Sequence, residues 1–79
     1  MATRAYILIE TAVGKSREVS SDLKAISGIN TVDPVTGPYD IIAVMSAPDL
    51  NAVGELVTRQ IHTISGIVRT VTCLAVGGS

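Results

Sequence analysis

The tetrapeptide Ile26-Ser27-Gly28-Ile29 returns later in the chain as Ile64-Ser65-Gly66-Ile67. The same displacement carries Val19 onto Val57 and Leu23 onto Ile61. Val19, Leu23 and Ile26 fall at i, i+4 and i+7, the spacing of a helix with one apolar face. Leu50, Val53, Val57, Ile61 and Ile64 make a second stripe of the same kind. Glycine just past such a stripe is the usual end of a helix. The chain therefore reads as two halves, each with a helix that stops at Ser-Gly and hands over to a strand.

Strand-like segments fill the remaining places. Residues 4 to 12 are β-branched and aromatic-rich, and residues 29 to 36, 40 to 47 and 67 to 76 follow the same pattern. The helices are predicted over 14 to 26 and 49 to 63, the second opened by Pro48-Asp49. Gly54 inside it costs about 1 kcal/mol relative to alanine or permits close packing. Pro34 cannot donate to a ladder, so the second strand is expected at a sheet edge or bulged there. The order β-α-β-β-α-β predicts a ferredoxin-like α+β fold: a four-stranded antiparallel sheet with two helices on one face. Its 79 residues suffice for a single domain, 1–79, with a core over 4–76.

So small a domain hides only about 60% of the surface its unfolded chain exposes. Yet 47% of the residues are hydrophobic. In the first strand Ile7 and Ile9 oppose Tyr6 and Leu8. In the third, Ile41, Ala43 and Met45 oppose Ile42 and Val44, and in the last, Val71 and Cys73 oppose Leu74 and Val76. Two helices cover one sheet face, so an apolar face remains. Such faces are rare on monomers, and the expectation is a homodimer packed sheet against sheet.

The charges exclude some functions. Net charge is −1, and the six basic residues are scattered without a run or stripe, so direct DNA binding is not expected. No apolar run reaches transmembrane length, and no signal peptide precedes the first strand, so no membrane role is expected and a cytoplasmic location is. No phosphate loop, metal-ligand cluster or cofactor motif occurs. His62 is read as a surface or half-buried side chain, Cys73 as a small buried hydrophobe, and Arg69 as an exposed strand-end residue. Glu10 and Asp40 leave an acid–base pair open, although their spacing gives no argument for one.

Between the second and third strands lies Val35-Thr36-Gly37-Pro38-Tyr39-Asp40-Ile41. Gly37-Pro38 is a turn signal, so the two strands form a hairpin with Tyr39 and Asp40 where the turn feeds the next strand. A carboxylate and a phenol there suit a binding site. They equally suit turn chemistry, since Asp hydrogen-bonds nearby backbone.

Taken together, several strings carry a resemblance. They are Ala5-Tyr6-Ile7-Leu8-Ile9-Glu10-Thr11, Gly14 before the first helix, the Gly28-Ile29 step, the Gly37-x-Tyr39-Asp40 hairpin, and Gly66-Ile67 leading to Thr70-x-Thr72. In this order over residues 4 to 76 the chain resembles the effector-binding (RAM) domain of Lrp/AsnC transcriptional regulators. The resemblance implies sheet-on-sheet dimers, assembled further into octamers or other rings. It also implies a small effector, typically an amino acid, bound between dimers. By position it carries Thr36, Gly37, Tyr39 and Asp40 over to the ligand site, with Thr70 and Thr72 from the last strand. An ionised Asp can accept hydrogen bonds from an α-ammonium, and backbone N–H groups at a glycine turn can hold an α-carboxylate.

The chain departs from the family at two points. Full-length members begin with a helix-turn-helix domain, whereas the first strand here starts within about five residues of Met1, which reads as a RAM domain standing alone or as a fragment. Pro38 stands where the family more often has a polar or charged residue, which stiffens the hairpin and removes one donor. Two readings follow: an amino-acid sensor that modulates transcription regulation, in company with full-length Lrp/AsnC regulators, or an assembly module without a ligand. Enzymatic activity is not expected, because those chemistries need a paired acid and base, a His or a cofactor in an enclosed pocket.

Overall fold

The computed structural model of the chain describes residues 2–76. β1 spans Thr3–Thr11, α1 Ser16–Lys24, β2 Ile29–Pro34, β3 Ile41–Ala47, α2 Leu50–Leu56 and β4 Ile67–Leu74. α2 runs directly into a π-helical turn, Val57–Ile61. The strands pair antiparallel in the order β2-β3-β1-β4. This is the ferredoxin-like α+β arrangement that the repeat predicts.

Strand alternation decides which face the helices cover. Ala5, Ile7 and Ile9 of β1 and Ile41, Ala43, Met45 and Ala47 of β3 are buried. They meet Val19 and Leu23 of α1, Val53 of α2, and Val57 and Ile61 of the π turn. Ile26, Ile29, Val32, Ala52, Leu56, Ile64 and Ile67 close the margins of this layer. Truncating a fully buried Ile or Leu in such a layer to Ala costs about 2–5 kcal/mol.

The repeat is visible in space at its glycines. Gly28 and Gly66 each have φ +99°, a conformation that residues with a Cβ rarely adopt. Each also lies against the helical segment of the other half. A Cβ on Gly28 would come within 3.0 Å of Leu56 Cδ1, and one on Gly66 would meet Lys15 Cβ and Val19 Cγ2, both at 3.1 Å.

The element ends differ from expectation. α1 is shorter at both ends. Its last turn tightens, with Ala25 N–H donating to Asp22 O at 3.2 Å and Ile26 N–H to Leu23 O at 3.1 Å. Asp49 starts α2 as expected, its Oδ1 accepting from Ala52 N–H at 2.9 Å. Leu50, expected in the stripe, is 59% exposed in the first turn and does not reach the core. Gly54 has nothing within 4 Å of a Cβ position, so close packing is not its reason. β2 ends at Pro34, lies at the sheet edge as its proline requires, and is bulged between Ile29 and Thr31.

The outer face is apolar and uncovered in the single chain. Cross-strand partners point to the same side of a sheet. The register therefore groups Tyr6 with Val44 and Cys73, and Leu8 with Ile42 and Val71. Tyr6, Val71 and Cys73 are exposed, and Leu8, Ile42 and Val44 half-buried. Cys73 is thus not the buried hydrophobe expected: it sits on edge strand β4, on the face that no helix covers. β4 is open on its other side too. Thr72 pairs with Ile7 and Leu74 with Ala5, which places both on the helix side, yet both are exposed. The helices pack over β1, β2 and β3.

Candidate functional site

The β2–β3 hairpin is wider than a two-residue turn. Val35 N–H donates to Asp40 O at 2.9 Å and closes the loop at its base. Thr36, Gly37 and Pro38 are exposed at the tip, while Tyr39 and Asp40 are half-buried at the base.

Asp40 ties this base to β1. Its N–H donates to Ile9 O at 2.9 Å. Its Oδ2 accepts from Thr11 N–H at 2.8 Å and from the Thr11 hydroxyl at 3.2 Å. The β1–β4 register shifts between Glu10 and Thr11. The extra residue of that shift is Val68 of β4, and Thr11 keeps its pairing with Ile67. The β1–β3 pairing ends at Ile9 and Ile41, so the Thr11 N–H lies beyond the end of β3, and the carboxylate receives it. Asp40 Oδ1 makes no hydrogen bond among the described residues.

Glu10 has a different partner. Glu10 and Arg69 are opposite one another on the outer face, with Glu10 Oε1 3.6 Å from Arg69 Nε. The Arg69 guanidinium also lies over the Tyr39 ring, 5.7 Å from its centroid, within the range of a cation–π contact. Both charged groups are well exposed, so the pair contributes little to stability. It does hold the Tyr39 ring against the sheet rim. The two carboxylates considered as an acid–base pair thus serve separate contacts, Glu10 with Arg69 and Asp40 with Thr11.

Thr70 and Thr72 lie on β4. Ile41 pairs with Ile9, and Ile9 with Thr70, so these three form one row across the sheet. Thr70 is therefore level with the hairpin base, two strand spacings or about 10 Å away. Thr72 lies one pleat further from the hairpin, opposite Ile7. The Thr70 hydroxyl is 2.9 Å from His62 Nε2. His62 follows the π turn, whose wide ring closes through His62 N–H donating to Val57 O at 2.9 Å.

The structure thus brings Thr36, Gly37, Tyr39, Asp40 and Thr70 to one end of the sheet and sets Thr72 slightly apart. Thr11, His62 and Arg69 join them. Sequence reading missed Thr11, because nothing in the string marks its contact with a residue 29 positions away. The spacing of His62 gave no sign of the π turn that positions it. A separate cleft of about 440 Å³, lined among others by Gly28, Ser46, Pro48, Arg59 and Gln60, opens at the opposite end of β3 and includes none of the predicted residues. Among the described residues no group of three or more His, Cys, Asp or Glu could hold a metal. No helix there is long and apolar enough to cross a membrane.

Comparison with known proteins agrees with this architecture. The profile of the Lrp/AsnC ligand binding domain matches residues 4–77. An uncharacterized HTH-type transcriptional regulator of Pyrococcus furiosus is 28% identical over 78 residues, covering 95% of this chain and 52% of the relative. The chain thus spans about half the length of that curated relative. The crystal structure of TTHA0845 from Thermus thermophilus superposes with a TM-score of 0.91 at 27% identity, covering 98% of this chain and 96% of the other. A hypothetical protein, PHS023, from Pyrococcus horikoshii gives 0.88 at 32% identity, covering 99% and 93%. The chain belongs to the Lrp/AsnC ligand-binding domain family, whose members include domains of transcriptional regulators.

Proposed function

We propose that this chain binds a small effector, an α-amino acid, at the hairpin end of the sheet, and that it does so as an oligomer related to Lrp/AsnC transcriptional regulators. The observation that carries the reading is the Asp40 carboxylate, fixed by Thr11 through Oδ2 with Oδ1 left unbonded among the described residues. A carboxylate oxygen held this way accepts from an ammonium group with little loss of side-chain entropy. In the same row of the sheet, two strand spacings or about 10 Å away between backbones, Thr70 supplies a hydroxyl as a further polar group at this end. A Neisseria meningitidis regulator with the same fold (TM-score 0.86, 16% identity) is known as a complex with L-Met. That likeness speaks for the fold alone, and makes amino acids the natural first panel.

The outer face supports the oligomeric part. Tyr6, Leu8, Ile42, Val44, Val71 and Cys73 form a continuous apolar surface, rimmed by Glu10, Asp33 and Arg69. A second copy packed on it forms the homodimer, and dimers assemble into an octamer or another ring. The module acts in the cytoplasm on full-length regulators of its family, without contacting DNA itself. Its six scattered basic residues support that last point.

A second reading has its own support. The Asp40 Oδ2 contacts lie within the chain, as an assembly module with a structural hairpin requires. A thermal-shift screen against the twenty amino acids, with light-scattering mass on the apo protein, separates the two. A ligand at a hundredfold excess over Kd adds about 2.7 kcal/mol of stability. The sensor reading expects a selective shift from one or two amino acids on a dimer or larger ring. No shift on a clean oligomer favours the assembly module.

A further inference from the structure

We propose that His62 is a positioning residue for effector recognition: through its hydrogen bond to Thr70 it turns the Thr70 hydroxyl proton outward, as a donor to the effector's carboxylate. The inference rests on the effector reading above and names the group that meets the carboxylate end.

The argument starts from what the helices leave open. They cover β1, β2 and β3, and Thr72 and Leu74 on the helix side of β4 are exposed. Thr70 heads this open strip, level with Ile9 and Ile41, and the 2.9 Å contact with His62 Nε2 joins it to the helix layer. A threonine hydroxyl has one proton and two lone pairs. If Nε2 accepts, the proton is used internally and Thr70 shows only lone pairs. If Nε2–H donates, a lone pair is used and the proton remains for a ligand. The hairpin side already offers carboxylate acceptors through Asp40. A zwitterion needs a donor at its other end, which the Nε2–H tautomer supplies through Thr70. His62 reaches Thr70 from the residue just after the π turn, whose extra residue shifts everything following it around the helix axis. Such turns occur frequently at functional sites.

The test uses the full chain and the amino acid that gives the largest thermal shift. His62→Ala should weaken its Kd about fivefold, the worth of one well-oriented hydrogen bond. His62→Gln, whose amide can donate, should restore affinity to within about twofold. His62→Ala should add nothing in a Thr70→Val background, since the two act as one unit. The amine that lacks the carboxyl group altogether keeps the ammonium but offers Thr70 no acceptor, and should not respond to His62→Ala. Apo melting temperatures of both His62 variants should match wild type. Wild-type affinity in His62→Ala would overturn the proposal, as would additive losses with Thr70→Val, an equal loss for the amine, or a melting temperature that falls in both variants. If no amino acid shifts the wild type, the effector reading fails and this inference fails with it.

Discussion

Asp40 Oδ2 accepts a 2.8 Å hydrogen bond from the backbone N–H of Thr11, at the point where the β1–β4 ladder slips register. One carboxylate thus takes up a β1 donor beyond the end of β3 and fixes the base of the β2–β3 hairpin. Structural strut and candidate ligand group are the same side chain, so substitutions must separate them.

Asp40→Ala leaves the Thr11 N–H without its acceptor and should cost about 2 kcal/mol of stability. Asp40→Asn keeps an oxygen acceptor for Thr11 and loses the charge. It should retain most of the stability in urea denaturation while losing affinity for an ammonium-bearing effector. If Asp40→Asn bound the effector as wild type does, the carboxylate charge would have no part in recognition.

Gly28 and Gly66 share φ +99° and each faces the other half's helical segment at close range. Gly28→Ala and Gly66→Ala should each destabilise the fold by about 1–3 kcal/mol through left-handed strain. Crowding against Leu56, or against Lys15 and Val19, adds to that. Chemical denaturation midpoints check this directly.

Gly54 is the opposite case. It is exposed in α2 with open space around a Cβ position. Gly54→Ala should stabilise by about 1 kcal/mol, equivalent to a rise of about 4–8 °C in Tm for a domain of this size. A fall in Tm would mean that this face of α2 is covered in the assembled protein.

The outer sheet face gives a prediction about mass. Val44 is central on that face, paired with Tyr6 on one side and Thr31 on the other. Val44→Lys places a charge in the proposed sheet-on-sheet contact. It should reduce the light-scattering mass to that of a monomer while the circular dichroism spectrum stays native. A wild-type chain that is already a monodisperse monomer at micromolar concentration would refute the dimer.

Element order and the buried face were legible in the sequence, because period-2 and period-3.6 patterning write them into single residues. Pro34 marked the edge strand, and the paired Ile-Ser-Gly-Ile motifs marked the step from each helical segment into the next strand, although α1 already stops at Lys24 and the π turn at Ile61. Three features were not legible. The Thr11–Asp40 contact joins residues far apart in sequence, and no residue pattern in either strand marks it. The π turn keeps Val57 and Ile61 buried, as a plain α-helix would, so the apolar stripe cannot reveal it. Leu74 is exposed because the helices pack over β1, β2 and β3 and leave β4 open, a property of lateral packing rather than of the β4 string, whereas Cys73 is exposed because it faces the other side of the sheet. The predicted hairpin residues were found together. Arg69 and His62 are exposed, as read, and their contacts with Tyr39 and Thr70 carry no mark in the string.

The most direct test of the account is a ¹H–¹⁵N correlation spectrum of the labelled protein, titrated with the amino acid that most raises its melting temperature. The account predicts saturable shifts concentrated at the amides of Thr11, Thr36, Gly37, Tyr39, Asp40 and Thr70, with little change at Gly28, Ser46 and Arg59. Shifts concentrated around those last three, in the cleft at the far end of β3, or a spectrum unmoved by any of the twenty amino acids, would contradict it.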